Sequence, residues 1–306
     1  MIPNEIKKIL VRQHYRIVGK HSAVKLCHWL KKSILDENFC YKQKFYGISS
    51  HRCLQFTPAV VWCSQRCLYC WRNTEQTLGY KMNMKDCDEP EFIVEEAIKA
   101  QRILLTGYGG ISERINKRKF KEAQNPNQVA ISLSGEPTIY PKISELIEEF
   151  SNRNFTTFLV TNGTFPEVLE ELRLPTQLYV SLTAPNREIY KKICNPIIPD
   201  GWERINETLN LFPSLSETRR VIRITLVKGW NDKKVENYAN LIEKSETDFV
   251  EIKSYMFLGG SRRRLNLENM PSFEYVKDFA EKINENLSYK LKDSKEDSRV
   301  VLLSKK

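Results

Sequence analysis

The chain has 306 residues, 41% hydrophobic and 10% aromatic, with 48 Lys or Arg against 38 Asp or Glu and a formal net charge of +10. That length buries one large core or two modest ones, and the composition is ordinary for a globular enzyme. No apolar run nears the roughly 20 residues that cross a bilayer, and the charged, periodic N-terminus has neither an h-region nor a small-residue cleavage site, so a cytoplasmic protein without a membrane partner is expected.

In chain order, residues 1–17 and 22–35 have helical spacing (Ile6 and Leu10, then Val24, Leu26, Trp29 and Leu30). Residues 40–53, "CYKQKFYGISSHRC", read as a loop broken by Gly and paired Ser. Beyond them, short apolar runs at 58–62, 128–133, 156–161, 177–182, 221–227 and 249–255 alternate with helical stretches near 90–105, 141–152, 166–173, 186–194, 202–211 and 232–244. A helix near 272–286 and a strand at 299–304 close the chain. Strands alternating with helices predict parallel βα units. Six units suit an α/β fold of the partial (βα)6 TIM-like barrel kind, with N- and C-terminal additions. No linker cleanly divides the chain. The expected layout is a basic segment at 1–55 packed on the core, a barrel at 56–260, and an extension of the same domain at 261–306.

Chemistry in such folds gathers at the C-terminal ends of the strands. Cys63 follows the first run, "SGEP" (134–137) the second, "TNGT" (161–164) the third, "TAPN" (183–186) the fourth and "KGWN" (228–231) the fifth. Five such placements point to one pocket.

Charge and cysteine are both uneven. Residues 1–53 hold eleven Lys or Arg against Glu5, Asp36 and Glu37, together with all four histidines. Further basic patches are "INKRKFK" (115–121) and "SRRRL" (261–265). Such patches bind phosphate backbones or simply form a solvated face. Six of the eight cysteines lie between Cys27 and Cys70, and in a reducing compartment such clusters bind metal or act in catalysis more often than they form disulfides. Their overlap with the basic segment favours an RNA partner.

Cys63, Cys67 and Cys70 form C-x3-C-x2-C. A zinc knuckle would need a second ligand pair, and none follows; Cys87 and Cys194 stand alone and read as buried core thiols. Three thiolates are one short of a closed four-iron cluster, which leaves one iron open. This loop after a first barrel strand, with Tyr69 before its last cysteine, resembles the radical S-adenosylmethionine enzymes. There the open iron chelates the methionine end of the cofactor, and one electron cleaves the sulfonium to a 5′-deoxyadenosyl radical. "SGEP" resembles that superfamily's Gly-Gly-Glu motif, with Ser134 in place of the first Gly. The resemblance makes Tyr69, Gly135, Glu136, Asn162 and Ser181 candidate cofactor contacts.

Cys27, Cys40 and Cys53 form C-x12-C-x12-C. Spacing alone leaves open both coincidence and a second open cluster. The surrounding stretches "HSAVKLCHW", "CYKQKFYGISSHRC" and "CSQRCLYCWRN", continued by "FLVTNGTFP", "TQLYVSL", "RITLVKGWN" and "DFVEIKSY", resemble the tRNA 4-demethylwyosine synthase family from about residue 10 to the end, in its stand-alone archaeal form. The resemblance implies two [4Fe-4S] clusters, S-adenosylmethionine, and an external flavodoxin- or ferredoxin-like electron donor. It implies a carbon–carbon condensing, lyase-type enzyme of the wybutosine pathway. The substrate it implies is phenylalanine tRNA at the N1-methylguanosine 3′ of the anticodon. Two carbons of pyruvate are added after the N1-methyl group loses hydrogen, the carboxylate carbon is lost, and a third ring closes. Cys27, Cys40 and Cys53 match the auxiliary-cluster positions, and Cys63, Cys67 and Cys70 the cofactor cluster.

A lysine amine suits a keto acid as a Schiff base. Lys42, in the matching Cys-Tyr-Lys stretch, is the expected one and Lys44 the rival. Trp62, Tyr69, Trp71 and Trp230 are candidates to stack on an extruded base, and Arg262, Arg263 and Arg264 to hold phosphates. Two alternatives are another radical S-adenosylmethionine RNA enzyme, such as a methyl- or methylthio-transferase, and a zinc-containing RNA-binding protein.

Overall fold

The structure, a computed structural model, describes residues 1–111 and 113–305. They form two compact units between which the chain passes repeatedly. The first comprises Met1–Trp62, Lys81–Val160 and Leu172–Thr176; the second comprises Cys63–Tyr80, Thr161–Glu171 and everything from Gln177 onward.

The first unit contains, in chain order, α1 (Asn4–Arg12), β1 (Arg16–Val18), β2 (Ser22–Val24), α2 (His28–Ile34), α3 (Tyr41–Tyr46), β3 (Cys53–Thr57), α4 (Pro90–Leu105), α5 (Lys117–Ala123), β4 (Gln128–Ile131), α6 (Ile143–Asn152) and β5 (Thr156–Thr161), whose last residue is already counted with the second unit. Strands β3, β4 and β5 are parallel, in the register Cys53↔Gln128↔Thr156. Antiparallel β2 covers the outer edge of β3 and carries β1. Helix α6 buries Ile143, Leu146, Ile147 and Phe150, the stripe expected of a 3.6-residue period. Phe150 meets Phe56 of β3 edge-on at 5.8 Å, which seats the helix on the sheet.

The second unit contains α7 (Pro166–Glu170), β6 (Gln177–Ser181), α8 (Arg187–Cys194), α9 (Gly201–Leu211), β7 (Arg219–Leu226), α10 (Val235–Ser245), β8 (Phe249–Ser254), α11 (Phe273–Asn284), β9 (Tyr289–Lys295) and β10 (Val300–Lys305). Strands β6, β7 and β8 are parallel, while β10 runs antiparallel along β8 and pairs with β9. Glu251 of β8 is fully buried and accepts from Arg223 of β7 at 2.8 Å and Tyr179 of β6 at 3.1 Å. A buried charge left unpaired is costly, so this network opposes any slip of the three strands. Three parallel strands lie in each unit among the described residues, matching the six expected.

Three local expectations are corrected. The first parallel strand is Cys53–Thr57, not 58–62. Pro58 lacks the N–H that a ladder needs, and the segment turns instead, with Val60 N donating to His21 O and Trp62 N to Ala59 O. Residues 22–35 are not one helix. Ser22–Val24 is a strand buried at every position, and the helix starts only at His28. Residues 40–53 are not a loop throughout, since they hold α3, ended by Gly47 at φ +74°.

Candidate active site

In the first unit the Cys27, Cys40, Cys53 triplet is built from three element starts. Cys27 precedes α2 and Cys40 precedes α3, each in extended backbone, and Cys53 opens β3. Helix α2 is held by the core of Leu26, Leu30, Ile34, Leu105 and Ala123, against which Cys27 itself packs. Cys40 N donates to Ser50 Oγ at 2.9 Å, and Ser50 Oγ in turn donates to Gln43 Oε1 at 2.8 Å. The Cys53 residue keeps some exposed surface, yet its thiol is pushed well above the ordinary range. Burial is the main cause, then Cys27; Lys42 pulls the other way and Cys40 adds to the rise. Three groups that the sequence spaced eleven or more residues from Cys53 thus act on its thiol. Lys42 is buried, with Nζ 4.5 Å from the centroid of Phe158, whereas Lys44 is exposed.

The "SGEP" turn belongs to the same unit. Ser134 Oγ donates to Val60 O at 2.9 Å, and Glu136 N donates to Trp62 O at 2.8 Å. Gly135 adopts φ +74°, and a Cβ there would lie 1.8 Å from Ala59 O and 2.7 Å from Trp62 O. The turn therefore lies hard on the 58–62 turn, and only glycine allows it. Glu136 is 2% exposed, and its Oε1 accepts from Thr138 N at 3.2 Å and Thr138 Oγ1 at 2.7 Å. Gly135→Ala should lower the unfolding free energy of the metal-free chain by about 2 kcal/mol or more, since backbone carbonyls must move. Gly229, at φ +81° with nothing within 4 Å of its Cβ position, should cost only about 1 kcal/mol as alanine. Denaturant melts that rank the two variants equally would refute the cradle.

The second unit carries the C-x3-C-x2-C loop. Cys63 and Cys67 are buried and Cys70 half-buried. The end of α8 fixes the loop's near side, with Arg66 N donating to Cys194 O at 3.1 Å and Leu68 N to Ile193 O at 2.9 Å. Asn162 Nδ2 donates to Ser64 Oγ at 2.8 Å, its Oδ1 accepts from Thr164, and Tyr69 OH lies 2.9 Å from Thr183 Oγ1. Asn231 ties two further strand ends together, donating to Thr183 O and Thr225 O. The five strand-end motifs thus gather in two sets, "SGEP" in the first unit and the other three turns with the cysteine loop in the second. Ser181 ends β6, half-buried. Trp62 is buried and Trp71 half-buried, while Trp230 is 37% exposed.

Three residues here were beyond reach of the sequence. Arg264 was expected on phosphate, and Arg262 and Arg263 are indeed exposed. Arg264 instead grips the loop, with Nε on Leu68 O at 3.1 Å, Nη2 on Cys70 O and on Arg72 O at 3.2 Å, and Nη1 on Glu75 at 2.9 Å. Cys194, read as an isolated core thiol, is buried, and its influence together with burial pushes the Cys67 thiol well up. Arg72 is buried in the loop itself. Each contact joins positions with no local pattern to link them.

Thiolates of a cubane sit on different irons, so they need not converge on one point as zinc ligands do. Among the described residues no three His, Cys, Asp or Glu side chains converge to hold a single ion. The three thiols of the Cys63, Cys67 and Cys70 loop are the donor chemistry of an iron–sulfur cluster.

Residues 57–242 match the Radical SAM superfamily model and residues 244–305 the model for wyosine base formation. The S-adenosyl-L-methionine-dependent tRNA 4-demethylwyosine synthase of Pyrococcus horikoshii is 55% identical over 99% of this chain and 89% of its own. That of Methanocaldococcus jannaschii is 45% identical over 99% and 96%. The solved structure of TYW1 with a lysine-pyruvate adduct bound superposes with a TM-score of 0.90 at 44% identity, covering 99% of this chain and 96% of that one. The crystal structure of archaeal TYW1 gives 0.81 at 40% identity, with the same coverage.

Proposed function

The chain belongs to the S-adenosyl-L-methionine-dependent tRNA 4-demethylwyosine synthase family of the radical SAM superfamily, and from that premise we propose how its residues divide the work. Membership brings S-adenosylmethionine, a [4Fe-4S] cluster and a tRNA substrate. The substrate we assign is phenylalanine tRNA at the N1-methylguanosine 3′ of the anticodon, extended by two carbons of pyruvate to the tricyclic base. When bound, the cofactor and its cluster supply the initiating radical.

Cys63, Cys67 and Cys70 are assigned to that cluster, with Tyr69, Gly135, Glu136, Asn162 and Ser181 as cofactor contacts. Asn162 is assigned through its hold on Ser64, because its amide is already engaged there. Cys27, Cys40 and Cys53 are assigned to hold a second [4Fe-4S] cluster, which would supply a Lewis-acid site for the carboxylate end of pyruvate. Lys42 condenses with the keto carbon of pyruvate, losing water, and so fixes the substrate in place. The observation that carries this reading is that Cys27, Cys40 and the buried Lys42 all act on the Cys53 thiol within one unit. A relative holds a lysine-pyruvate adduct, and a methyl- or methylthio-transferase would have no use for such a lysine.

The functional layout remains 1–55 for the auxiliary cluster, 56–260 for the barrel and 261–306 for the extension. Electrons come from an external flavodoxin- or ferredoxin-like donor. Among the described residues no helix is long and apolar enough to cross a membrane. None of the eight cysteines is in a disulfide, which accords with the reducing cytoplasm. Anaerobic incubation with reductant, S-adenosylmethionine, pyruvate and N1-methylguanosine-containing tRNA should give a tricyclic nucleoside by mass spectrometry. A modified base that forms equally well without pyruvate would overturn the assignment.

Arg262 and Arg263 are the phosphate contacts. For single-stranded RNA each such contact adds about 0.7 to the slope of log K against log salt. Replacing both by Ala should therefore weaken tRNA binding and flatten that slope by about 1.4. A slope unchanged in the double variant would remove them from the interface.

A further inference from the structure

Arg72 follows the last cysteine of the loop by two residues and is 7% exposed. An arginine keeps its charge at any working pH and carries five N–H donors. Here only one donor has a partner of ordinary kind, Nη2 to Gln65 O at a long 3.4 Å, while Nε and Nη1 are buried without any. The strongest charges acting on it are the thiols of Cys63, Cys70 and Cys67, and its guanidinium reaches the Cys70 thiol. Arg264, by contrast, spends its donors on loop carbonyls and pairs its charge with Glu75. Two arginines of different kinds thus meet the loop, Arg264 half-buried and Arg72 buried. One is fully used as a clasp, and the other is aimed at the cysteines with donors to spare.

A buried guanidinium with orphaned donors is a destabilising feature unless an anion arrives to meet it. A four-iron cluster on three thiolates is such an anion. We propose that Arg72 is the electrostatic and hydrogen-bonding partner of the cluster at Cys63, Cys67 and Cys70, and that it raises the cluster's midpoint potential. The sign follows from charge. Reduction adds one negative charge to the cluster, and a fixed neighbouring cation stabilises the reduced form more than the oxidised one. Burial keeps the interaction strong and little screened by salt. Hydrogen bonds to cluster sulfur act in the same direction. The proposal rests on the assignment of this cluster to the cofactor and adds who sets its potential.

The test is an anaerobic redox titration of the reconstituted enzyme, following by EPR the reduced-cluster signal that S-adenosylmethionine alters. Arg72→Gln should lower the ratio of reduced to oxidised cluster at fixed potential at least tenfold, or 59 mV for one electron. Arg72→Lys, which keeps the charge on a shorter reach without the fork, should lower it about threefold. Arg264→Gln should leave the midpoint where it was, although fewer molecules hold a cluster. Arg72→Gln titrating like the parent at full iron content would overturn the proposal. If Arg72→Gln fails to hold iron, the Lys variant decides, a parent-like midpoint counting against. A parent enzyme with no S-adenosylmethionine-responsive signal would fault the cluster assignment itself rather than Arg72.

Discussion

Lys42→Ala is expected to lose tricyclic base formation by about a thousandfold or more, while cleavage of S-adenosylmethionine without product continues. The loss is large because the lysine turns a small, weakly held keto acid into a tethered reactant. Effective concentrations for well-oriented tethered groups reach roughly 10⁵ M, far above any free pyruvate. Cleavage should survive because the cofactor cysteines and their clasp lie in the second unit, and Lys42 is packed within the first, against Phe158. Borohydride added with pyruvate should fix a label on the parent and not on Lys42→Ala. Lys44→Ala should stay within about threefold of the parent, since that residue is exposed. Equal labelling of the parent and Lys42→Ala would move the Schiff base elsewhere.

Replacing Cys27, Cys40 and Cys53 together by Ser should cut the iron content from about eight to about four per chain and abolish product. S-adenosylmethionine cleavage should persist at close to the parent rate. The matching triple substitution at Cys63, Cys67 and Cys70 should remove the other four irons and cleavage with them. Serine is nearly isosteric with cysteine, so if the first triplet were only core thiols, iron and product would both survive. Iron analysis beside a cleavage assay separates the outcomes. A zinc-binding protein would show neither dissociation.

Much of this was readable along the chain. The parallel strands β4 to β8 hold apolar runs buried at most positions, and their bounds fell within about two residues of expectation. Both cysteine triplets and Lys42 were visible as spacing and as family resemblance. The N-terminal segment was harder. Ser22–Val24 is too short to show alternation, and it lies beside residues that continue a helical period, so the pattern favoured the wrong element. Pro58 should have argued against a strand at 58–62, and the chain obeys it. Strand β9 was missed because "YKLKDSK" is largely exposed and reads as polar chain. What no local pattern reveals is tertiary pairing. Arg264 grips carbonyls 192 to 196 positions away, and nothing around it distinguishes a clasp from a phosphate contact. Cys194 beside Cys67 and the orphaned donors of Arg72 are the same kind of fact.

The central claim is that this chain builds a base from pyruvate held in the first unit and a radical raised in the second. Its most direct measurement uses pyruvate carrying ¹³C at one position at a time, in the anaerobic reaction with N1-methylguanosine-containing tRNA. The tricyclic nucleoside should gain mass from label at the keto carbon and at the methyl carbon and none from label at the carboxylate. A product that retains the carboxylate label, or one that takes up no label from pyruvate at all, would contradict it.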